Sequence, residues 1–290
     1  MEKVKPTSPA ANLQSETVIC PICGEALHFN EREAYCDNRH HFDKARQGYV
    51  NLLMKNGSGE KRHGDDSLML KARQEFLEKG YYDPLAELIA AAVQRYAQEK
   101  VVVADIGCGE GYYAEKISRA LTESGRDAEM ICIDISKEAA KRTAKRSFAK
   151  TALVASAFEL PIRRESCDIA VSIFAPFSEK ELLRILKQDG IFIQAVPRER
   201  HLFGLKAEIY DEPYENPAVK TELEGFELLG CETLDSELLL DNGTDIENLF
   251  KMTPYYYKTS AEGQQRAAAL QKLRTEIAFA VMVYRKKGNI

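Results

Sequence analysis

Four side chains in the first forty residues have the types and spacing of a tetrahedral metal site. Cys20 and Cys23 are separated by two residues, Cys36 follows after twelve, and His40 after three more. Two residues between cysteines permit a tight turn that aims both sulfurs at one ion, and a second pair from the next hairpin completes the tetrahedron of a zinc site. Pro21, Ile22 and Gly24 suit such a knuckle. Four protein ligands leave no open position for a catalytic water, so the expected role of zinc is structural. His41 adjoins His40 as an alternative ligand and His28 is a weaker one; spacing favours His40. So small a segment cannot build a sufficient core, so the metal would fold it. Phe42 and Tyr49 are its expected apolar centre.

A second constellation lies in VVVADIGCGEGYYAEKI, residues 101–117. An apolar strand ends at Asp105, and Gly107, Gly109 and Gly111 follow before a helix. A glycine trio after a strand also occurs in dinucleotide-binding folds, but a carboxylate inside the turn is unwelcome to a pyrophosphate and suits a cationic amine. The next strand ends at Asp134, where a carboxylate can accept both hydroxyls of a ribose, or can cap the helix that starts near Lys137. Ser156, Ala157 and Phe158 follow the third strand and are candidates to line an adenine pocket, Phe158 having core as its other reading. The ordered series points to S-adenosyl-L-methionine. Cys23→Ser is expected to release zinc and unfold the small module while leaving binding of this cofactor largely intact.

The elements that must hold these groups are legible from texture. Between residues 101 and 196 short apolar runs alternate with helical patterns: VVVADIG, AEMICIDIS, TALVAS, CDIAVSIFA and GIFIQAV read as strands, and YYAEKISRALTES, KEAAKRTAKRSF and SEKELLRILKQ as helices. Such alternation predicts a parallel sheet covered by helices on both faces. FELLGCETLDSELLL and EIAFAVMVYRKK add a late strand pair, antiparallel at one edge, with a helix in DIENLFKMTP between them. Residues 67–100 read as a helical pair interrupted between Gly80 and Pro84. The expected division is a flexible tail 1–17, a zinc-binding domain 18–50, a linker 51–66 and a main domain 67–290 that would hold this cofactor. The fold class is α/β, a Rossmann-like doubly wound sheet with an antiparallel addition at one edge and a small N-terminal zinc-binding domain.

Composition limits the alternatives. The 290 residues are 44% hydrophobic and 29% charged, ordinary for a soluble globular chain, and the net charge of −5 gives no global sign of nucleic acid. No run approaches the roughly 20 apolar residues of a membrane span, and the polar start lacks a secretion signal. The expected location is cytoplasmic, with no membrane partner. Seven cysteines then read as metal ligands plus reduced thiols, with Cys108, Cys132, Cys167 and Cys231 as small buried hydrophobes.

DIGCGEGYY resembles motif I of class I S-adenosylmethionine-dependent methyltransferases. The zinc module joined to it through FDKARQGYVNLL resembles the RlmA family of bacterial 23S ribosomal RNA guanine-N1 methyltransferases. ARQEFLEKGYYDPL, DISKEAAKRTAKR and PRERHLFGLKAEIYDEP extend the likeness over almost the whole chain. The resemblance implies methylation of a guanine N1 in the helix 35 hairpin of 23S ribosomal RNA and assembly as a homodimer. It also implies cofactor contacts at Tyr82, Gly111, Tyr112 and His201. LKQDG at 186–190 departs from the family pattern of a proline and two glycines in a turn remote from the chemistry.

Guanine N1 carries a proton at neutral pH, so transfer needs that proton to leave and charge developing on O6 to be stabilised. No base is assigned; Glu208 and Asp211 are candidates beside ordinary surface carboxylates. Phe174-Ala175-Pro176-Phe177 occupies the place of the polar-Pro-Pro-aromatic phrase of many base methyltransferases, without its polar residue. Phe177 is either a stacking residue or core. A guanine in a structured hairpin is expected to flip out of its stack. Arg198, Arg200 and the run Lys61, Arg62, His63 are candidates for phosphates; Lys141, Arg142, Lys145 and Arg146 read as a solvated helix face. The other readings are a small-molecule methyltransferase whose zinc module serves as a lid, and a nucleic-acid-binding protein that has lost catalysis.

Overall fold

The computed structural model describes residues 16–54, 64–149 and 151–288. The basic run Lys61–His63, most of the expected tail and the middle of the expected linker lie outside these residues. The chain opens with three short strands, β1 (His28–Phe29), β2 (Glu33–Tyr35) and β3 (His41–Asp43), then β4 (Val50–Asn51), α1 (Ser67–Leu77) and α2 (Asp83–Tyr96). The α/β alternation follows as β5 (Lys100–Ile106), α3 (Tyr112–Glu123), β6 (Asp127–Asp134), α4 (Lys137–Thr143), β7 (Thr151–Val154), β8 (Cys167–Ile173), α5 (Glu179–Ile185) and β9 (Leu186–Pro197). Then come α6 (Phe203–Ile209), β10 (Phe226–Leu240), α7 (Gly243–Lys251), α8 (Tyr255–Lys258), α9 (Ala261–Ala269) and β11 (Leu273–Lys286).

The large sheet runs β10-β11-β9-β8-β5-β6-β7-β4. Strands β9 to β4 of that order are parallel, whereas β11 pairs antiparallel with β9 and with β10, as the texture predicts. The two-residue β4, too short to read from sequence, closes the β7 edge: Val50 pairs with Leu153, and Leu52 N–H donates to the Val154 carbonyl at 2.9 Å.

Alternation along the strands divides the core. Val101, Val103, Cys132, Ile169 and Val171 face the layer of α1, α2, α3, α6 and α7. Ala104, Ile106, Ile131, Ile133 and Ala170 face the other way, and there the cover is α5 together with Val18, Leu27 and Ala34 of the zinc module. The module is therefore part of a helix-like layer on the sheet. Backbone bonds fasten it: Ile19 N–H to the Pro161 carbonyl at 2.9 Å and Arg163 N–H to the Thr17 carbonyl at 2.8 Å.

The helical pair breaks where Gly80 and Pro84 predict. Asp66 caps α1 by accepting from Met69 N–H at 2.9 Å, and Pro84 sits in the first turn of α2, where its missing N–H costs nothing. Lys79 and the Tyr81 hydroxyl both bind the buried Asp245, which fixes this corner to α7. Among the described residues no helix is long and apolar enough to cross a membrane. Cys108, Cys132 and Cys167 are buried as expected, but Cys231 is exposed, because β10 is the outermost strand and turns that side chain to solvent.

Candidate functional site

The four expected metal ligands converge. One ligand atom from each of Cys20, Cys23, Cys36 and His40 lies within 4.8 Å of all the others. Zinc–sulfur bonds of about 2.3 Å and zinc–nitrogen bonds of about 2.0–2.1 Å at the tetrahedral angle place donors roughly 3.5–3.8 Å apart. The separations fit: Cys20 Sγ to His40 Nδ1 is 3.5 Å, Cys36 Sγ to His40 Nδ1 is 3.4 Å, and Cys23 Sγ to Cys36 Sγ is 3.7 Å. Two turns present them, one closed by Gly24 N–H to the Cys20 carbonyl and one by Arg39 N–H to the Cys36 carbonyl, both at 2.9 Å. The competing histidines are engaged elsewhere, His41 with Glu33 at 2.9 Å and His28 with Asp37 at 3.3 Å. Phe42 and Tyr49 are half-buried, and Phe42 packs on the core that the module shares with the large sheet.

A cavity of about 770 Å³ opens at the carboxyl ends of β5, β6, β7, β8 and β9. It covers the crevice between β5 and β8, where the strand order reverses and open α/β sheets bind ligands. Gly107 and Gly109 from the loop after β5, Asp134 at the end of β6, Ser156, Ala157 and Phe158 after β7, and Tyr82 and His201 all line it. The loop is tied to the sheet by Gly107 N–H and Cys108 N–H, which donate to the Ile133 carbonyl at 2.8 and 3.0 Å. Gly107 has φ +76, and a Cβ there would run into Ala175 Cβ, so only glycine lets the loops after β5 and β8 meet.

Asp134 helps to fold this wall as well as to present charge. Its Oδ2 accepts from Gly109 N–H at 2.9 Å and its Oδ1 from Ser136 N–H at 2.8 Å, while Ser136 is the cap of α4. Three expected residues stand behind the wall. Asp105 is 2% exposed, beneath the glycine loop. Gly111 starts α3 and packs toward Thr143, and the Tyr112 hydroxyl is turned away to donate to Asp83.

Burial, with Asp134 and Glu110 adding repulsion, pushes the Asp105 carboxyl from 3.8 up to about 7. A carboxyl raised by folding favours the folded state below its unfolded value and loses that advantage as pH rises through the folded one. Asp105→Asn should therefore melt progressively higher than the wild-type protein as pH goes from 5 to 8, in the absence of ligand. A gain independent of pH in a thermal melting series would assign the Asp105 ionisation elsewhere.

The sequence reading missed Arg73. Met69, Arg73 and Leu77 recur every four residues on α1 and all line the cavity, so the signal was an arginine in the middle of an apolar helical stripe. Arg73 pairs with Asp65 at 2.6 Å; burial opposes its charge, but Asp65, Glu110 and Asp134 hold it. Among the described residues it is the one arginine or lysine that lines the cavity. Around it stand the carboxylates of Asp65, Glu110 and Asp134, a balance that suits a ligand carrying positive charge and one carboxylate.

The cavity wall also carries hydroxyls and rings. The Tyr82 and Tyr113 hydroxyls are buried without a partner in the described structure. His201 Nδ1 accepts from Ala278 N–H at 3.4 Å, which leaves Nε2 to carry the proton, and burial with nearby Lys206 pushes the ring down to about 3. His201 is thus a neutral donor and not a base. Met252, Thr253 and Pro254, between α7 and α8, and Tyr255, the first residue of α8, complete the lining, and Arg73 Nη2 donates to the Met252 carbonyl at 3.5 Å.

The other described candidate residues lie outside the cavity lining. Glu208 is exposed at the outer end of α6, and Asp211 is exposed and paired with Arg266 at 3.0 Å; neither lines the cavity. Phe177 packs edge-on against the buried Phe192 at 4.8 Å between ring centres and belongs to the core. Arg142 and Arg146 are turned inward: Arg146 binds Glu115 at 2.5 Å and the Glu110 carbonyl at 2.6 Å, and Arg142 reaches Gln74 at 2.6 Å. Lys145 is exposed, and Lys141 pairs with Glu138 at 3.2 Å. Arg198 and Arg200 are engaged with Asp235 and Glu276, at 2.6 and 2.7 Å.

Comparison with known proteins adds two domain matches. Residues 18–56 match the family model described as RlmA, N-terminal, and residues 103–190 match that of a methyltransferase domain. The chain is 33% identical over 234 residues to the 23S rRNA (guanine(748)-N(1))-methyltransferase of Streptomyces fradiae, a match that covers 77% of this chain and 80% of that one. It is 28% identical over 265 residues to YxjB of Bacillus subtilis, covering 88% and 91%. Among solved structures, YcgJ of Bacillus subtilis superimposes with a TM-score of 0.47 at 16% identity, over 70% of this chain and 98% of that one.

Proposed function

Because the chain belongs to the family of 23S rRNA (guanine-N1)-methyltransferases, we propose that it methylates N1 of a guanine in the helix 35 hairpin of 23S ribosomal RNA. The observation that carries this reading is the cavity itself, whose wall combines one buried arginine and three carboxylates with rings and unpaired hydroxyls, with a zinc module of the family type packed on the same sheet.

The residues fit S-adenosyl-L-methionine, which when bound supplies an electrophilic methyl group on a sulfonium. Arg73 would hold the carboxylate of its amino-acid part, with Asp105 behind the glycine loop favouring the ammonium. Asp134 would accept from the ribose, and Ser156 to Phe158 would flank the adenine. Gly107 and Gly109 allow the close approach that such a seat requires.

Toward the acceptor, the hydroxyls of Tyr82 and Tyr113 and the Nε2–H of His201 are donors available to a purine carbonyl as charge grows on O6. The carboxylates that line the cavity, Asp65, Glu110 and Asp134, belong to the α1 approach, the loop after β5 and the end of β6. In this reading the N1 proton passes to solvent, the chain lowers the cost of losing it by stabilising O6, and positioning lowers the rest of the barrier. Assembly as a homodimer and work in the cytoplasm belong to the same proposal.

Purified protein incubated with labelled cofactor and unmodified large-subunit RNA should give labelled 1-methylguanosine on nucleoside mass spectrometry. Label in the RNA at another base would overturn the assignment of guanine N1, and no label while the cofactor still binds would point to an assembled particle or a small-molecule acceptor. Phosphate contacts release counterions, so RNA affinity should also fall steeply with salt.

A further inference from the structure

We propose that Phe174 is the platform on which the acceptor guanine stacks, a reading that rests on the guanine methylation proposed above. The residue directly follows β8 and has φ +56, a left-handed conformation that a bulky side chain rarely adopts. A glycine or asparagine would take this turn at less cost, yet the chain places a large apolar ring there and leaves it 45% exposed on the cavity wall.

The strained backbone is held from both sides. Phe174 N–H donates to the Ala195 carbonyl at 3.1 Å, the Ser172 hydroxyl donates to the Ala175 carbonyl at 2.9 Å, and Ala175 sits against Gly107. Phe279 at 5.3 Å and Tyr113 at 6.2 Å between ring centres fix the ring's orientation. Strain maintained in this way is characteristic of functional sites.

Position supplies the second argument. Phe158, the other phenylalanine on the cavity wall, is 62% exposed beyond β7. Strands β6 and β5 lie between β7 and β8, so the strand ends that carry the two residues stand three strand spacings apart, roughly 14 Å. A cofactor whose adenine lies by Phe158 and which extends along the glycine loop reaches the Phe174 end with its reactive part. A planar acceptor there needs a flat, apolar face, and Phe174 is the exposed ring at that end.

The chain contains no tryptophan, so Phe174→Trp introduces a single indole reporter, which guanine quenches on stacking. Unmodified large-subunit RNA, titrated in the presence of S-adenosylhomocysteine, should quench it saturably, and Phe177→Trp should not respond. Phe174→Leu should lower kcat/KM for RNA about 10- to 100-fold, the range of one lost base–aromatic stack, with cofactor affinity within about twofold of wild type. A Leu variant at the wild-type rate, a parallel fall in cofactor affinity, or an unquenched indole would overturn the proposal. A wild-type protein that leaves RNA unmethylated sinks the parent reading instead. Quenching by guanosine 5′-monophosphate then judges the platform alone, which stands if the indole responds and falls if it does not.

Discussion

Gly107→Ala should abolish useful cofactor binding, with a loss of affinity of at least about 100-fold by calorimetry. Two costs act together. A left-handed φ of +76 costs an alanine about 1–2 kcal/mol, and its Cβ would lie far inside van der Waals contact with Ala175 Cβ. The loop cannot yield without straining the bonds from Gly107 and Cys108 N–H to the Ile133 carbonyl. A displacement of about 1 Å at such a seat is enough for a hundredfold effect. The steric part has its own control, because after Ala175 Cβ the nearest atom is Ala175 Cα at 3.7 Å, an ordinary contact. Ala175→Gly in the Gly107→Ala background should therefore recover affinity down to the cost of φ alone. An affinity within about threefold of wild type in the single variant would mean that this loop is not the cofactor's seat. No recovery in the double variant would reject the steric account.

Cys23→Ser should release the metal and loosen more than the small module. Structural zinc sites contribute on the order of 10–16 kcal/mol of apparent binding free energy, comparable to the whole stability of an ordinary domain. Val18, Leu27 and Ala34 of the module share a core with Ala155, Leu160 and Ile162. These last residues flank Ser156 to Phe158 on the adenine side of the cavity. The sequence-based expectation of intact cofactor binding is therefore replaced: affinity should fall about 5- to 150-fold, the usual span of coupling between linked sites. Zinc content by a chromogenic chelator and cofactor affinity by calorimetry decide it. Stoichiometric zinc in the variant would reject the ligand set, and loss of zinc with unchanged affinity would show that the shared core transmits nothing.

What the sequence carried and what it did not follow from locality. The four ligands were legible because their spacing is dictated by turns within one short segment, and the glycine loop because strand, turn and helix are contiguous. The parallel sheet was legible from alternation. Phe174 and Phe177 could not be told apart, because a likeness between phrases assigns positions but not the direction of side chains beside a residue at positive φ. Glu208 and Asp211 follow β9 closely in the chain, but α6 carries them away from the cavity. Arg146 read as solvated because α4 and the turn after it are polar; the C-terminal cap of α1 and helix α3 then supplied Glu78 and Glu115 as partners from far along the chain. The Met252–Tyr255 wall had no local signal, since its place depends on α7 packing against α1.

The short strand β4 bears on how the enzyme can be dissected. Val50 and Leu52 are buried, and they occupy the hydrogen-bonding edge of β7. Excising everything ahead of α1 would remove more than a metal-binding appendage. It would leave β7 as a bare parallel edge and uncover Leu153, Leu160 and Ile162, which invites aggregation. A catalytic fragment that begins at Ser67 would then fail for reasons unrelated to catalysis, and the smallest piece expected to behave as this enzyme begins ahead of Thr17.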